Sequence, residues 1–141
     1  MNIDVAVRTL HSIVEEAGLE LIDLLSIDVE GFELEVLAGF PLDQWQPRLI
    51  LMEDHVHNLS KHRYLTTHGY KLVRRTGVNA WYVPEKTDFL IDFYGRWQLF
   101  RKYVVGLPFR KLKAVMRGSY NAVLPWLLLS GDAADQVLSA I

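Results

Sequence analysis

Residues Leu21–Phe40, LIDLLSIDVEGFELEVLAGF, restrict the possible folds more than any other stretch of the chain. The apolar run Leu21–Ile27 has the length and composition of a buried β-strand. Asp28-Val29-Glu30-Gly31 interrupts it, and Phe32, Leu34, Val36 and Leu37 then define a short amphipathic helix that stops at Gly39. A buried strand, an acidic turn and a helix form the βα corner of an open α/β sheet, where ligands bind beyond the carboxyl ends of the strands. Asp28 and Glu30 therefore mark the start of a candidate site. Their bland alternative is a capping role, with one of them neutralising the positive end of the helix Phe32–Ala38.

The flanking sequence supplies more α/β structure. Asn2–Val7 alternates loosely, as a short strand or extended lead-in. Thr9 is placed to cap a helix through Ala17, with Leu10, Ile13, Val14 and Ala17 on one face and Gly18 at its end. Arg48–Glu53 reads as a second buried strand, ending in the polar residues Glu53, Asp54, His55 and His57. A helix over Ser60–His68 follows, closed by Gly69. Tyr70–Arg75 and Ala80–Val83 are strand-like, and Thr76–Asn79 between them is too short for a crossover, so they pair antiparallel. Crossover geometry puts the ends of Leu21–Ile27 and Arg48–Glu53 on one side of the sheet.

Composition changes after Pro84. Seven Lys or Arg and no acid lie between Arg96 and Arg117. Trp97, Phe100 and Val104 share one helical face, and Phe109, Leu112, Val115 and Met116 another, with Gly106-Leu107-Pro108 separating the two segments. The chain thus divides into residues 1–84 and a basic amphipathic helical tail, residues 85–141. The tail suits either packing on the sheet or contact with a membrane surface or partner. No nucleic-acid module accompanies the charge, so no nucleic acid is expected. Val123–Leu129 is apolar but short, and no run approaches the roughly 20 residues that span a bilayer. With no cysteine there is no disulfide, thiolate metal site or thiol nucleophile. The first residues lack a signal-peptide layout, and the expectation is a cytoplasmic protein, peripheral to a membrane at most.

Thr9-Leu10, then Ile22–Glu33 with its Ile-Asp-Val-Glu-Gly core, then Val36-Leu37-Ala38-Gly39, resemble the FkbM family of S-adenosylmethionine-dependent methyltransferases. Pro47–Glu53, His68-Gly69-Tyr70 and Trp81-Tyr82-Val83 continue the likeness in order, which covers about Val7–Val83. The resemblance implies a partial Rossmann-like, class I methyltransferase sheet: parallel strands closed by an antiparallel hairpin, with the last strand inserted antiparallel. It implies S-adenosylmethionine as cofactor and O-methylation of a small molecule or glycan. The chain departs from the family in lacking an Asp-x-Gly-x-x-x-Gly cofactor loop, and in having His11 at a position usually occupied by aspartate. The expectation is a truncated or split methyltransferase carrying the acceptor side of the fold. The alternative is a non-catalytic remnant that binds a protein or membrane.

Asp28 and His55 are the candidate catalytic residues, His55 because an unperturbed imidazole titrates near neutral pH. Asp28 and Glu30 are assigned to the cofactor, and Glu53 and His57 to the acceptor. Asp54 and His57 also read as a solvated polar loop, and His62 and His68 as surface residues. The His55-x-His57 pair beside two acids permits a metal-dependent hydrolase as a third function, but that spacing is common by chance and no metal ligand is assigned. Finally, Leu21–Ile27 would pair with a strand the chain lacks. Its exposed edge invites self-association unless Asn2–Val7 or the tail covers it.

Overall fold

The computed structural model of the chain describes residues 6–55 and 58–116. Helix α1, Leu10–Glu16, begins where the Thr9 hydroxyl accepts the Ser12 N–H at 3.2 Å. It ends before Gly18, which takes the left-handed backbone (φ +64°) that favours glycine. Strand β1 is Leu24–Ile27. Helix α2 is Glu33–Ala38 and the single turn α3 is Leu42–Trp45. Trp45 Nε1 lies 3.0 Å from His11 Nδ1 and ties α3 to α1. Strand β2, Leu49–Glu53, helix α4, Ser60–Thr67, and the hairpin β3, Tyr70–Thr76, and β4, Asn79–Pro84, follow.

The four strands form one sheet in the order β1-β2-β4-β3. β1 and β2 are parallel with Ile27 opposite Met52, so Asp28, just past β1, and Glu53, the last residue of β2, lie at the same end of the sheet. β4 lies between β2 and β3 and is antiparallel to both. Leu25, Ile27, Ile50, Met52, Tyr82, Ala80 and Leu72 share one face through this register, and that face carries the core with Leu37, Phe40, Leu42 and Leu65. The opposite face is only partly covered: Leu24 and Ser26 are exposed and Leu49, Leu51 and Trp81 half-buried.

This arrangement corrects the expectation of a strand buried throughout Leu21–Ile27. Leu21 is exposed outside a shorter strand, and Leu24 is 54% exposed against 9% for Leu25. Among the described residues β1 is the sheet's edge with one covered face, so its side chains alternate between core and solvent although all but Ser26 are apolar. Before the strand, Asp23 and Arg48 pair at 2.8 Å and the Arg48 N–H reaches the Ile22 carbonyl at 3.0 Å.

A β-bulge between Leu72 and Arg74 decides the orientation of β3. Strict alternation puts Arg74 on the face of Tyr70 and Leu72. The extra residue instead pairs Arg75 with Ala80 on the Leu72–Tyr82 face and turns Arg74 out. Arg75 is accordingly 2% exposed.

After Asp92, whose carboxylate accepts the Gly95 N–H at 2.7 Å, the chain runs as one helical rod. It comprises α5, Phe93–Leu99, a π-helical stretch Phe100–Gly106, and α6, Leu107–Met116. The expected break at Gly106-Leu107-Pro108 is absent. Pro108 has no N–H to offer the Val104 carbonyl, and the wider turn just ahead of it accommodates this without ending the helix. The side facing the sheet also differs from expectation. Leu99, Tyr103 and Leu107, four residues apart, enter the core, whereas Trp97, Phe109, Leu112 and Met116 face solvent. A four-residue spacing drifts around an α-helix of 3.6 residues per turn, and the π stretch brings it back into line. The lead-in Asn2–Val7 up to Val5, and the segment Val123–Leu129, lie outside the described residues, as does His57.

Candidate active site

The cleft beyond the β1 and β2 ends has a volume of about 290 Å³ and is lined by Glu30, Gly31 and Glu33 from one side and Glu53, Asp54, His55, Asn58 and Lys61 from the other. Its first wall is built by an unusual backbone. Glu30 (φ 51°) and Gly31 (φ 104°) take successive positive φ angles, bending the chain sharply between β1 and α2. A glutamate in the left-handed region costs roughly 1–3 kcal/mol, a strain that concentrates at functional sites. Phe32 occupies the cap position of α2 and no side chain caps it. Neither Asp28 nor Glu30 therefore has the capping role considered from the sequence.

That wall is held by Glu33, which sequence reasoning passed over. Its side chain is fully buried, with Oε1 accepting the Gly31 N–H at 3.0 Å and Oε2 2.7 Å from Lys61 Nζ. Burial pushes the Glu33 pKa upward, but the Lys61 ammonium and the Gly31 N–H outweigh it, leaving the pKa below its ordinary value. Lys61 also donates to the Glu53 carbonyl at 3.0 Å, so one ammonium joins the α2 turn to the end of β2. The signal for Glu33 was available in the sequence. An acid in the first turn of α2 and a lysine in the first turn of α4 are both visible there; only their proximity is not.

The second wall rests on a buried polar cluster. Arg75 Nη1 lies 3.1 Å from Asp54 Oδ2 and 3.1 Å from the Tyr103 hydroxyl, which itself donates to Asp54 Oδ2 at 3.2 Å. Arg75 Nη2 donates to the Asp54 carbonyl and, at 3.0 Å, to that of Val78. The guanidinium also lies 5.6 Å from the centre of the Tyr103 ring. Asp54 is thus a buried anchor and not the solvated loop residue expected. By fixing Asp54 on both its carboxylate and its carbonyl, Arg75 positions the adjoining Glu53 and His55. Burial and the Asp54 charge push the Tyr103 pKa far above its ordinary value despite Arg75.

His62, expected at the surface, is buried in contact with this cluster, its Nδ1 3.3 Å from the Tyr82 hydroxyl and its ring against Tyr82 and Tyr103. It faces the core because α4 presents His62 and Leu65 on its inner side. Burial lowers its pKa from the ordinary 6.5, Asp54 opposing and Arg63 adding to the effect. The folded state therefore takes up a proton less readily than the unfolded chain, at both His62 and Glu33. Stability from His62 is fully present above pH 6.5 and falls as pH drops through its lowered folded pKa; that from Glu33 is lost in the same way below pH 4.5. Acid unfolding monitored by circular dichroism should show a first loss of stability beginning near pH 6.5 that His62→Phe removes, leaving the loss below pH 4.5 in place.

Of the residues assigned from the sequence, Glu30, Glu53 and His55 meet at the cleft. His55 Nε2 lies 3.3 Å from Glu53 Oε1, a pairing through which a carboxylate orients an imidazole. Asp28 sits exposed at the end of β1 and is not among the lining residues. His68 bonds the Tyr64 carbonyl through Nδ1 at 2.7 Å, at the end of α4 away from these residues in sequence. Among the described residues no cluster of His, Cys, Asp or Glu could hold a metal ion, and no helix is long and apolar enough to cross a membrane.

Comparison with known proteins agrees with the sequence motifs. The methyltransferase sdnD of Sordaria araneosa is 41% identical over 54 residues, covering 33% of this chain and 21% of that protein. The chain therefore spans about one fifth of the length of this curated relative. No solved structure matches it. The family model of the methyltransferase FkbM domain matches residues 2–78, just over half of the chain, and the chain belongs to that family.

Proposed function

We propose that the chain forms the acceptor side of an S-adenosylmethionine-dependent O-methyltransferase acting on a small molecule or glycan. The observation that carries this reading is the cleft beyond two parallel strand ends, where a strained Glu30-Gly31 turn faces the Glu53–His55 pair. The strand order supports it: β4 inserted antiparallel between β2 and β3 is what the class I methyltransferase resemblance implies.

The cleft residues fit one end of the cofactor. S-adenosylmethionine supplies a methyl group on positively charged sulfur, and the Glu30 and Glu53 carboxylates suit that cationic end. Among the described residues no aromatic side chain lines the cleft to receive adenosine, and the sequence contains no Asp-x-Gly-x-x-x-Gly pattern. The adenosine side would come from a Gly-rich segment, on the same or another polypeptide. In the chain itself, Glu53 orients His55, and His55 takes the proton from the acceptor hydroxyl. Glu33, Lys61, Asp54 and Arg75 act on the reaction only by holding these groups in place.

Calorimetry with S-adenosylhomocysteine tests the division of labour. The chain alone should bind more weakly than micromolar, and in an assembled enzyme His55→Ala should lower the methyl-transfer rate by about 10²–10⁴-fold. Micromolar binding and turnover by the chain alone would remove the need for a second segment. An unchanged rate in His55→Ala would remove the histidine from the mechanism.

A further inference from the structure

The helical rod Phe93–Met116 has two apolar sides, and the fold uses one. Gly95, Leu99, Tyr103 and Leu107 are buried. On the other side Phe93, Trp97, Val105, Phe109, Leu112 and Met116 are exposed, by 51% at Trp97, 67% at Phe109 and 78% at Met116. With the π stretch setting the phase, these residues recur along one outward stripe over the rod's 24 residues, about 36 Å at 1.5 Å per residue. Leu90, in the chain just before the rod, is also exposed. Six Lys or Arg and no acid lie within the same rod. Arg96, Arg101 and Lys113 are exposed and Lys111 half-buried, so positive charge flanks the stripe. Nothing among the described residues covers it.

We infer that this stripe is a docking surface for an anionic membrane, on which the rod lies in the plane of the headgroups. A continuous apolar side with aromatic residues, bordered by cations and extending over twenty to thirty residues, is what interfacial helices present. Lys111 and Lys113 border the C-terminal half of the stripe, and lysine is a residue in which protein interfaces are depleted. Each Lys or Arg near a negatively charged leaflet adds attraction, so the four flanking cations and the apolar stripe reinforce one another. The sheet-facing side is already buried, so lying on a membrane requires no unfolding of the domain. This assignment is independent of the methyl-transfer chemistry and holds whether or not the cleft is catalytic.

Sedimentation of the full chain with phosphatidylcholine vesicles, with and without phosphatidylserine, tests it. The bound fraction should rise about tenfold or more with phosphatidylserine and fall with added salt. Phe109→Ser with Leu112→Ser should abolish binding while leaving the thermal melt unchanged, because both side chains are solvent-exposed. Should that double variant fail to fold, Lys111→Glu with Lys113→Glu should lower binding to the anionic vesicles about tenfold and leave the fold intact. Absence of vesicle binding, equal binding to neutral vesicles, or binding unaffected by a folded variant would overturn the inference. So would self-association of the chain that Phe109→Ser abolishes, since that assigns the stripe to a second copy.

Discussion

Asp54→Ala is expected to destabilise the domain by about 3–5 kcal/mol, the range for removing one partner of a buried ion pair. Arg75 is 2% exposed and its guanidinium depends on Asp54 for both a carboxylate oxygen and a carbonyl position. Without the carboxylate the cation keeps the carbonyls of residues 54 and 78 and the Tyr103 hydroxyl, none of which carries charge to balance it. The loss should appear in urea unfolding as a lower midpoint, with the slope retained. Tyr103→Phe gives an internal comparison. It removes one hydroxyl that donates to Asp54 and accepts from Arg75, and should cost about 0.5–3 kcal/mol. An Asp54→Ala effect no larger than that of Tyr103→Phe would show that Arg75 does not need its counter-charge. Because Glu53 and His55 flank Asp54, the same variant should also impair the cleft where it remains folded.

A chain ended at Pro84 should lose its cooperative unfolding transition altogether. The composition changes near this point, yet Leu99, Tyr103 and Leu107 belong to one core with Leu25, Ile50, Leu72 and Tyr82. Each such side chain contributes about 1.5–3 kcal/mol by burial. Together the three approach the 5–15 kcal/mol that a whole domain possesses. Their removal would also open the Arg75–Asp54 pair to water on the side that Tyr103 closes. A cooperative urea transition in residues 1–84, with a slope appropriate to their size, would show instead that the sheet and α1–α4 suffice.

The two histidines illustrate what a linear sequence hides. The place of His55 at the cleft was legible because it follows a strand end, where chain direction and βα topology bring polar residues to one crevice. His62 was not, because whether one position of a short polar helix faces inward depends on what the helix packs against. The helix Ser60–Thr67 has too few apolar residues to mark its inner side, and Leu65 with His62 are its buried positions. Likewise Asp54 reads as a loop residue until Arg75, 21 residues further on, is seen to reach it.

Periodicity, turn residues and chain direction determined the parts of this protein that depend on near neighbours. Thr9 as a cap, the strand–turn–helix at Asp28–Glu33, the parallel β1 and β2 with their ends together, and the antiparallel hairpin all follow from local pattern and short connections. Three features required the tertiary structure. One bulged residue in β3 sent Arg75 inward in place of Arg74, a choice that alternation alone decides the other way. A π stretch shifted the phase of the C-terminal rod, so that Leu99, Tyr103 and Leu107 met the sheet and the aromatic stripe did not. The Glu33–Lys61 pair joined two walls of the cleft across 28 residues of chain, at a distance set by how α2 and α4 pack. In each case the deciding quantity was a contact between residues far apart in sequence, whose energy outweighs the local preference and exists only once the chain has folded.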